Sequence, residues 1–83
     1  MSAPSDKEVQ ALLDRLCIDL GFCLSPVDRQ RLAEHPPGDP LAFTNEVFRA
    51  EGLALEDAPP ELFRRVRSVV LAAYRLAEDG RGG

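Results

Sequence analysis

Few residues of this 83-residue chain could make or break bonds: two cysteines, one histidine, and a scatter of serines and carboxylates. Cys17 and Cys23 stand six positions apart in the stretch LCIDLGFCLSP. A zinc site needs four nitrogen or sulfur ligands, commonly in close pairs such as C-x2-4-C, and two cysteines with His35 fall short. A redox C-x-x-C is absent. Nucleophilic catalysis by serine or cysteine needs a base beside it, and His35, the only imidazole, precedes Pro36-Pro37 with nothing in the spacing to bring it to either sulfur. Ser5 and Ser25 are accounted for as helix caps. The carboxylates are spread along solvent faces, with no apolar setting that would pair and perturb them. There is no glycine loop to cradle a phosphate and no D-x-D-x-D-G series for calcium. The expectation is therefore a protein with no catalytic residue, metal, cofactor or evident small-molecule substrate. Both cysteines read as reduced structural thiols, Cys17 as a small hydrophobe on a helix stripe and Cys23 inside the apolar loop FCL.

One constellation rises above that background. Arg64, Arg67 and Arg75 recur at i, i+3 and i+11 with Arg65 alongside, and Leu71 completes the same strip. A basic helix face with a central apolar spot has the composition of a docking surface, since the guanidinium fork suits carboxylates and phosphates. The competing expectation is that Glu61 and the acidic remainder of the chain neutralise these arginines internally and leave a solvated face.

Four helices must position these residues. Ser5 and Glu8 have the S-x-x-E spacing of a capping box. Behind it Val9, Leu12, Leu13, Leu16, Cys17 and Leu20 form one stripe of helical period, which predicts a first helix over about 6–20. Gly21 follows where a left-handed residue is wanted, and Phe22 is placed to close on Cys17 in a Schellman ending. Ser25-Pro26-Val27-Asp28 is a second start signal, for a short helix over about 26–34. His35-Pro36-Pro37-Gly38 must then break the chain, because a residue before proline is pushed out of the helical region. Asp39-Pro40 begins a third helix over about 40–51, carrying Leu41, Phe43, Val47, Phe48 and Ala50 and stopping at Gly52 with Leu53 over Phe48.

Residues 53–59 make the longest connection, and Pro60 opens a fourth helix over about 60–78. Leu62, Val66, Val69, Val70, Ala73 and Ala77 are its stripe, Phe63 and Tyr74 flank it, and the apolar run 69–72 predicts a central, much-buried element. No alternation of period two bounded by turns occurs. The fold class is all-α, a small bundle of four helices without a sheet, as one domain over 1–83 with flexible ends at about 1–4 and 79–83.

Composition agrees: 45% hydrophobic and 29% charged residues are ordinary globular usage. The formal charge of −4 is unevenly held. Residues 1–60 carry eleven acids and five bases, and 61–83 carry three acids and five bases, so the helix-4 end is positive and the rest negative. An acidic whole disfavours nucleic acid and anionic membrane, whose affinity comes from cationic residues releasing counterions. No apolar run approaches the ~20 residues of a membrane helix, and MSAPSDKEVQ lacks a basic segment followed by an apolar one, which predicts a soluble, cytoplasmic protein. The functional expectation is a protein-protein interaction module, possible as a neutralising or regulatory partner of another protein or in self-association, with Arg64, Arg67, Leu71 and Arg75 as partner-binding residues. The alternative is a DNA-binding regulator of helix-turn-helix type, built on the second and third helices, whose reading helix would carry Arg49 between Glu46 and Glu51.

Overall fold

The computed structural model describes residues 4–53 and 56–82, and among them it holds four helices and no strand. These are α1 (Asp6–Leu20), α2 (Pro26–Glu34), α3 (Pro40–Ala50) and α4 (Pro60–Gly82). Three of the four starts are set by side chains that satisfy amides no helix can satisfy for itself. The Glu8 amide donates to Ser5 Oγ at 3.3 Å while the Ser5 amide donates to Glu8 Oε1 at 2.7 Å, a complete capping box. Ser25 takes the Asp28 amide at 3.3 Å and Asp39 takes the Ala42 amide at 3.3 Å, each ahead of a proline in the first turn.

The two glycine stops differ. Gly52 (φ 75°) ends α3 in the Schellman manner, with Gly52 N–H donating to the Arg49 carbonyl at 3.0 Å and Leu53 N–H to the Phe48 carbonyl at 3.0 Å. Gly21 (φ 75°) ends α1 in the simpler left-handed form: its N–H donates to the Cys17 carbonyl at 3.0 Å, and Phe22 N–H reaches back to Leu16 at 3.1 Å. The Phe22 N–H donates to the Leu16 carbonyl and not to that of Cys17, so the expected Schellman hydrogen bond does not form. The Phe22 ring is buried and meets Phe48 edge-on at a centroid distance of 5.2 Å.

α1 rests on α2 and α4, and α4 rests on α1 and α3. The helices share one core in which Val9, Leu13, Leu16, Phe43, Val47, Phe48, Val66 and Val70 are closed off from solvent. The Cα radius of gyration, 12.0 Å, is that of a compact chain of this length, about 11.8 Å. Aromatic contacts join the layers: Phe48 meets Phe63 at 5.6 Å, and Phe43 meets Tyr74 at 5.9 Å. Tyr74 also donates its hydroxyl to the Pro37 carbonyl at 2.5 Å, tying α4 to the break between α2 and α3.

Four expectations need correction. Cys17 and Cys23 form a disulfide and are not free thiols. The left-handed Gly21 turns the chain back on itself, so the two Cα atoms lie 4.3 Å apart, within bonding reach. In α3, Leu41 is exposed and Thr44 is buried in its place, its hydroxyl satisfied by the Pro40 carbonyl at 2.9 Å. In the run 69–72, only Val70 is fully buried; Leu71 is half-buried and Ala72 exposed, because α4 covers its neighbours with one face only. Finally, α4 runs on past the expected end at 78 to Gly82, since a glycine such as Gly80 weakens a helix by about 1 kcal/mol without forbidding it. Of the expected flexible ends, 1–3 and 83 lie outside the described residues, as do 54–55 of the expected connection; Pro4 is buried.

Candidate partner-binding face

What holds α4 also decides which side of it is left to solvent. Val66, Val70, Tyr74 and Ala77 recur at i, i+4, i+8 and i+11, all are buried, and they turn the opposite side outward. That outward side carries Arg64, Arg65, Arg67 and Arg75, all exposed, around the half-buried Leu71. Of the four residues expected from sequence as partner-binding, Arg64, Arg67 and Arg75 are exposed on α4 and Leu71 is half-buried.

Ion pairing separates this surface from the rest of the molecule. Every arginine of α1, α2 and α3 is engaged. Arg15 pairs with Asp19 at 3.4 Å, and Arg29 meets Asp14 and also donates to Gln10 Oε1 at 3.1 Å. Arg31 pairs with Glu46 at 3.2 Å and Asp28 at 3.4 Å, and Arg49 pairs with Glu46 at 3.3 Å. Among the described residues no carboxylate lies within ion-pair distance of Arg64, Arg65, Arg67 or Arg75. Arg64 and Arg67 are helix neighbours of like charge, an arrangement that costs a few tenths of a kcal/mol.

Beside the strip, α4 and α1 leave a groove of about 440 Å³. Ala11, Leu12 and Arg15 line it from α1, and Val69, Ala72 and Leu76 from α4. A second hollow, on α4 itself, shares Ser68, Ala72 and Leu76 with the groove and adds Leu71 and Arg75, so the groove adjoins the Leu71 and Arg75 end of the strip, while Arg64 and Arg67 line neither. Leu76 is 70% exposed and Ile18, on the neighbouring face of α1, is 81% exposed. Isolated exposed apolar side chains are ordinary; of these two, Leu76 lines the groove and Ile18 does not. Neither Ile18 nor the groove was singled out from sequence, because the pairing of α1 with α4 has no local signal.

The other candidates are placed as follows. His35 is the exposed C-cap residue of α2. With the two sulfurs bonded to each other, neither is available as a nucleophile. No group of three His, Cys, Asp or Glu side chains that could hold a metal ion occurs among the described residues. On α3, the reading helix of the DNA-binding alternative, Phe43, Thr44, Val47 and Phe48 face the core and the exposed Arg49 is held by Glu46. Among the described residues Tyr74 has a clearly displaced titration: burial, and secondarily the charge of Asp39, push its phenol up to about 12. No helix among the described residues is long and apolar enough to cross a membrane. No family model, curated protein or solved structure matches the chain.

Proposed function

We propose that this protein is a small helical interaction module that binds another protein through the outward face of α4. The observation that carries the reading is the contrast in pairing: every arginine of α1–α3 has a carboxylate, and the four described arginines of α4 have none. Arginines around a leucine are a composition that recurs where binding energy concentrates, because the side chain combines apolar stem and planar donor fork. A neutralising or regulatory subunit is the role that suits a chain of this size whose own residues offer no catalytic constellation.

The Cys17–Cys23 bond bears on where the module works. Such bonds persist in oxidising compartments and are reduced in the cytoplasm, so the cytoplasmic home suggested by the sequence requires this pair to be open there.

The test places a photo-crosslinking residue at Leu71, and as a control at Val27 on α2, in tagged protein incubated with lysate of the source cells, with and without nuclease. Mass spectrometry of the adducts reads the result. A protein captured from position 71 and not from 27, and lost when Arg64→Glu and Arg67→Glu are introduced, supports the module. Capture that survives both reversals sinks it. Recovery of nucleic acid, lost steeply as salt rises, would replace it with a DNA-binding role for α4.

A further inference from the structure

We infer that the Cys17–Cys23 bond is a reversible thiol-exchange site, opened by a small thiol that attacks the Cys23 sulfur while the rest of the molecule stays folded. The inference is independent of the interaction role proposed above. Access decides where attack falls. Exchange needs a thiolate to reach one of the two sulfurs, and of these Cys23 is exposed while Cys17 is half-buried on α1. Cys23 lies in the connection between α1 and α2, so no helix has to open to reach it. The corner is also held by contacts that do not involve the bond. Gly21 N–H donates to the Cys17 carbonyl and Phe22 N–H to the Leu16 carbonyl, fixing the turn that brings the chain back. On either side of Cys23, Phe22 and Leu24 are buried, with the Phe22 ring against Phe48, and Ser25 then caps α2. Residue 23 is pinned from both sides and itself left to solvent.

With glutathione as the thiol, its thiolate attacks Cys23 Sγ and the bond between the two protein sulfurs breaks. Cys17 leaves as a thiolate that takes a proton from water, and glutathione is now joined to Cys23. A second glutathione thiolate attacks the sulfur of the first, forming glutathione disulfide and releasing Cys23 as a thiolate, which is protonated in turn. Two electrons thereby pass from the two thiols to the protein pair. Glutathione disulfide drives the same steps backward. The contacts that hold the corner keep the two freed sulfurs close to each other, which gives the closing step the advantage of an intramolecular reaction. The chain has no third cysteine, so within one molecule the pair has no wrong partner.

The test follows reduction of the full oxidised chain by glutathione under native conditions, with acid quenching and mass spectrometry. The rate should rise in proportion to thiolate, and about 1 M urea should change it less than about twofold, whereas a bond reached only through global unfolding would open about fivefold faster per molar urea. The trapped mixed disulfide should map to Cys23. The monothiol variants give a second reading: in folded Cys17→Ser protein Cys23 should react with iodoacetamide about tenfold faster than Cys17 does in the Cys23→Ser protein. Reduced protein should keep its helical circular dichroism and reclose when glutathione disulfide is added. A fivefold acceleration by urea, a mixed disulfide on Cys17, equal alkylation of the two monothiol proteins, or failure of the reduced protein to stay helical and reclose would each overturn the site. So would two free thiols in protein held in an oxidising buffer, since no bond then exists to exchange.

Discussion

Breaking the Cys17–Cys23 bond should cost this small protein a large part of its stability. The bond closes a loop of sequence separation 6, and the chain entropy it withholds from the unfolded state is worth about 2 kcal/mol. A chain of 83 residues has a total stability of order 4–12 kcal/mol, so the bond supplies a sixth to a half of it. At about 4–8 °C per kcal/mol for a domain this size, the loss corresponds to a fall in Tm of about 8–16 °C. Replacing both residues by serine adds little desolvation penalty, because Cys23 is exposed and Cys17 only half-buried. Thermal melts followed by far-UV circular dichroism would compare oxidised protein, protein with a phosphine reductant, and the Cys17→Ser, Cys23→Ser double variant. The reduced protein and the double variant should melt together, well below the oxidised form. Urea unfolding should show a larger m-value for both, since their unfolded chains expose more surface. If the double variant melts within about 2 °C of the oxidised protein, the loop-entropy argument fails. If unreduced, denatured protein takes up two alkyl groups, the bond does not form and the reduced-thiol expectation returns.

Tyr74→Phe should cost about 1 kcal/mol by deleting the hydrogen bond to the Pro37 carbonyl, read by urea titration. The same substitution should flatten an alkaline loss of stability: the folded phenol titrates at about 12 and the unfolded one near 10, so the unfolded chain gives up its proton first and stability falls as pH rises between them, by up to about 3 kcal/mol. Gly52→Ala should cost about 1 kcal/mol through backbone strain alone, since its φ is 75° and an added Cβ meets nothing within 4 Å. Gly38→Ala is the control, with open space and no left-handed backbone, and its Tm should match or slightly exceed that of the parent. Phe48→Ala should cost about 3–5 kcal/mol, because the ring is fully buried between Phe22 and Phe63, and loss of a cooperative melt is the readout.

Helix boundaries were legible where a short side chain caps an amide close in sequence. Ser5 with Glu8, Ser25 with Asp28 and Asp39 with Ala42 are all separations of three, and the ends they predict are the ends observed. Where such a signal is missing the reading slipped. Gly80 near the C-terminal end lies inside α4 and does not stop it, and the helix passes the expected limit of 78. Burial was legible as a stripe and misread at its edges. Leu41 and Thr44 exchange roles because burial is set by which side of α3 meets the shared core, a tertiary fact that hydrophobicity does not encode. The disulfide was hidden for a related reason. Spacing of six across a glycine identifies a helix stop, and only the path of the chain after Gly21 shows that the same stop returns Cys23 to Cys17.

The arginine strip shows where local reading ends. Helical period alone places Arg64, Arg67, Leu71 and Arg75 together, but period cannot say whether an arginine is already spent. Arg29 finds Asp14 and Arg31 finds Glu46 across a sequence separation of 15, contacts that exist only once α1, α2 and α3 are assembled. Nothing in the neighbourhood of Arg64 in the sequence distinguishes it from Arg29. Stability does not explain the difference either. Exposed pairs of this kind contribute about 0–1 kcal/mol each, and the unpaired neighbours on α4 cost only a few tenths. A fold indifferent to these charges can carry them reversed, so Arg64→Glu and Arg67→Glu perturb the strip while leaving the buried Val66, Val70 and Tyr74 side of α4 untouched. Any loss of binding in that variant therefore belongs to the surface and not to the core, which is what makes the unpaired arginines a functional question with a clean answer.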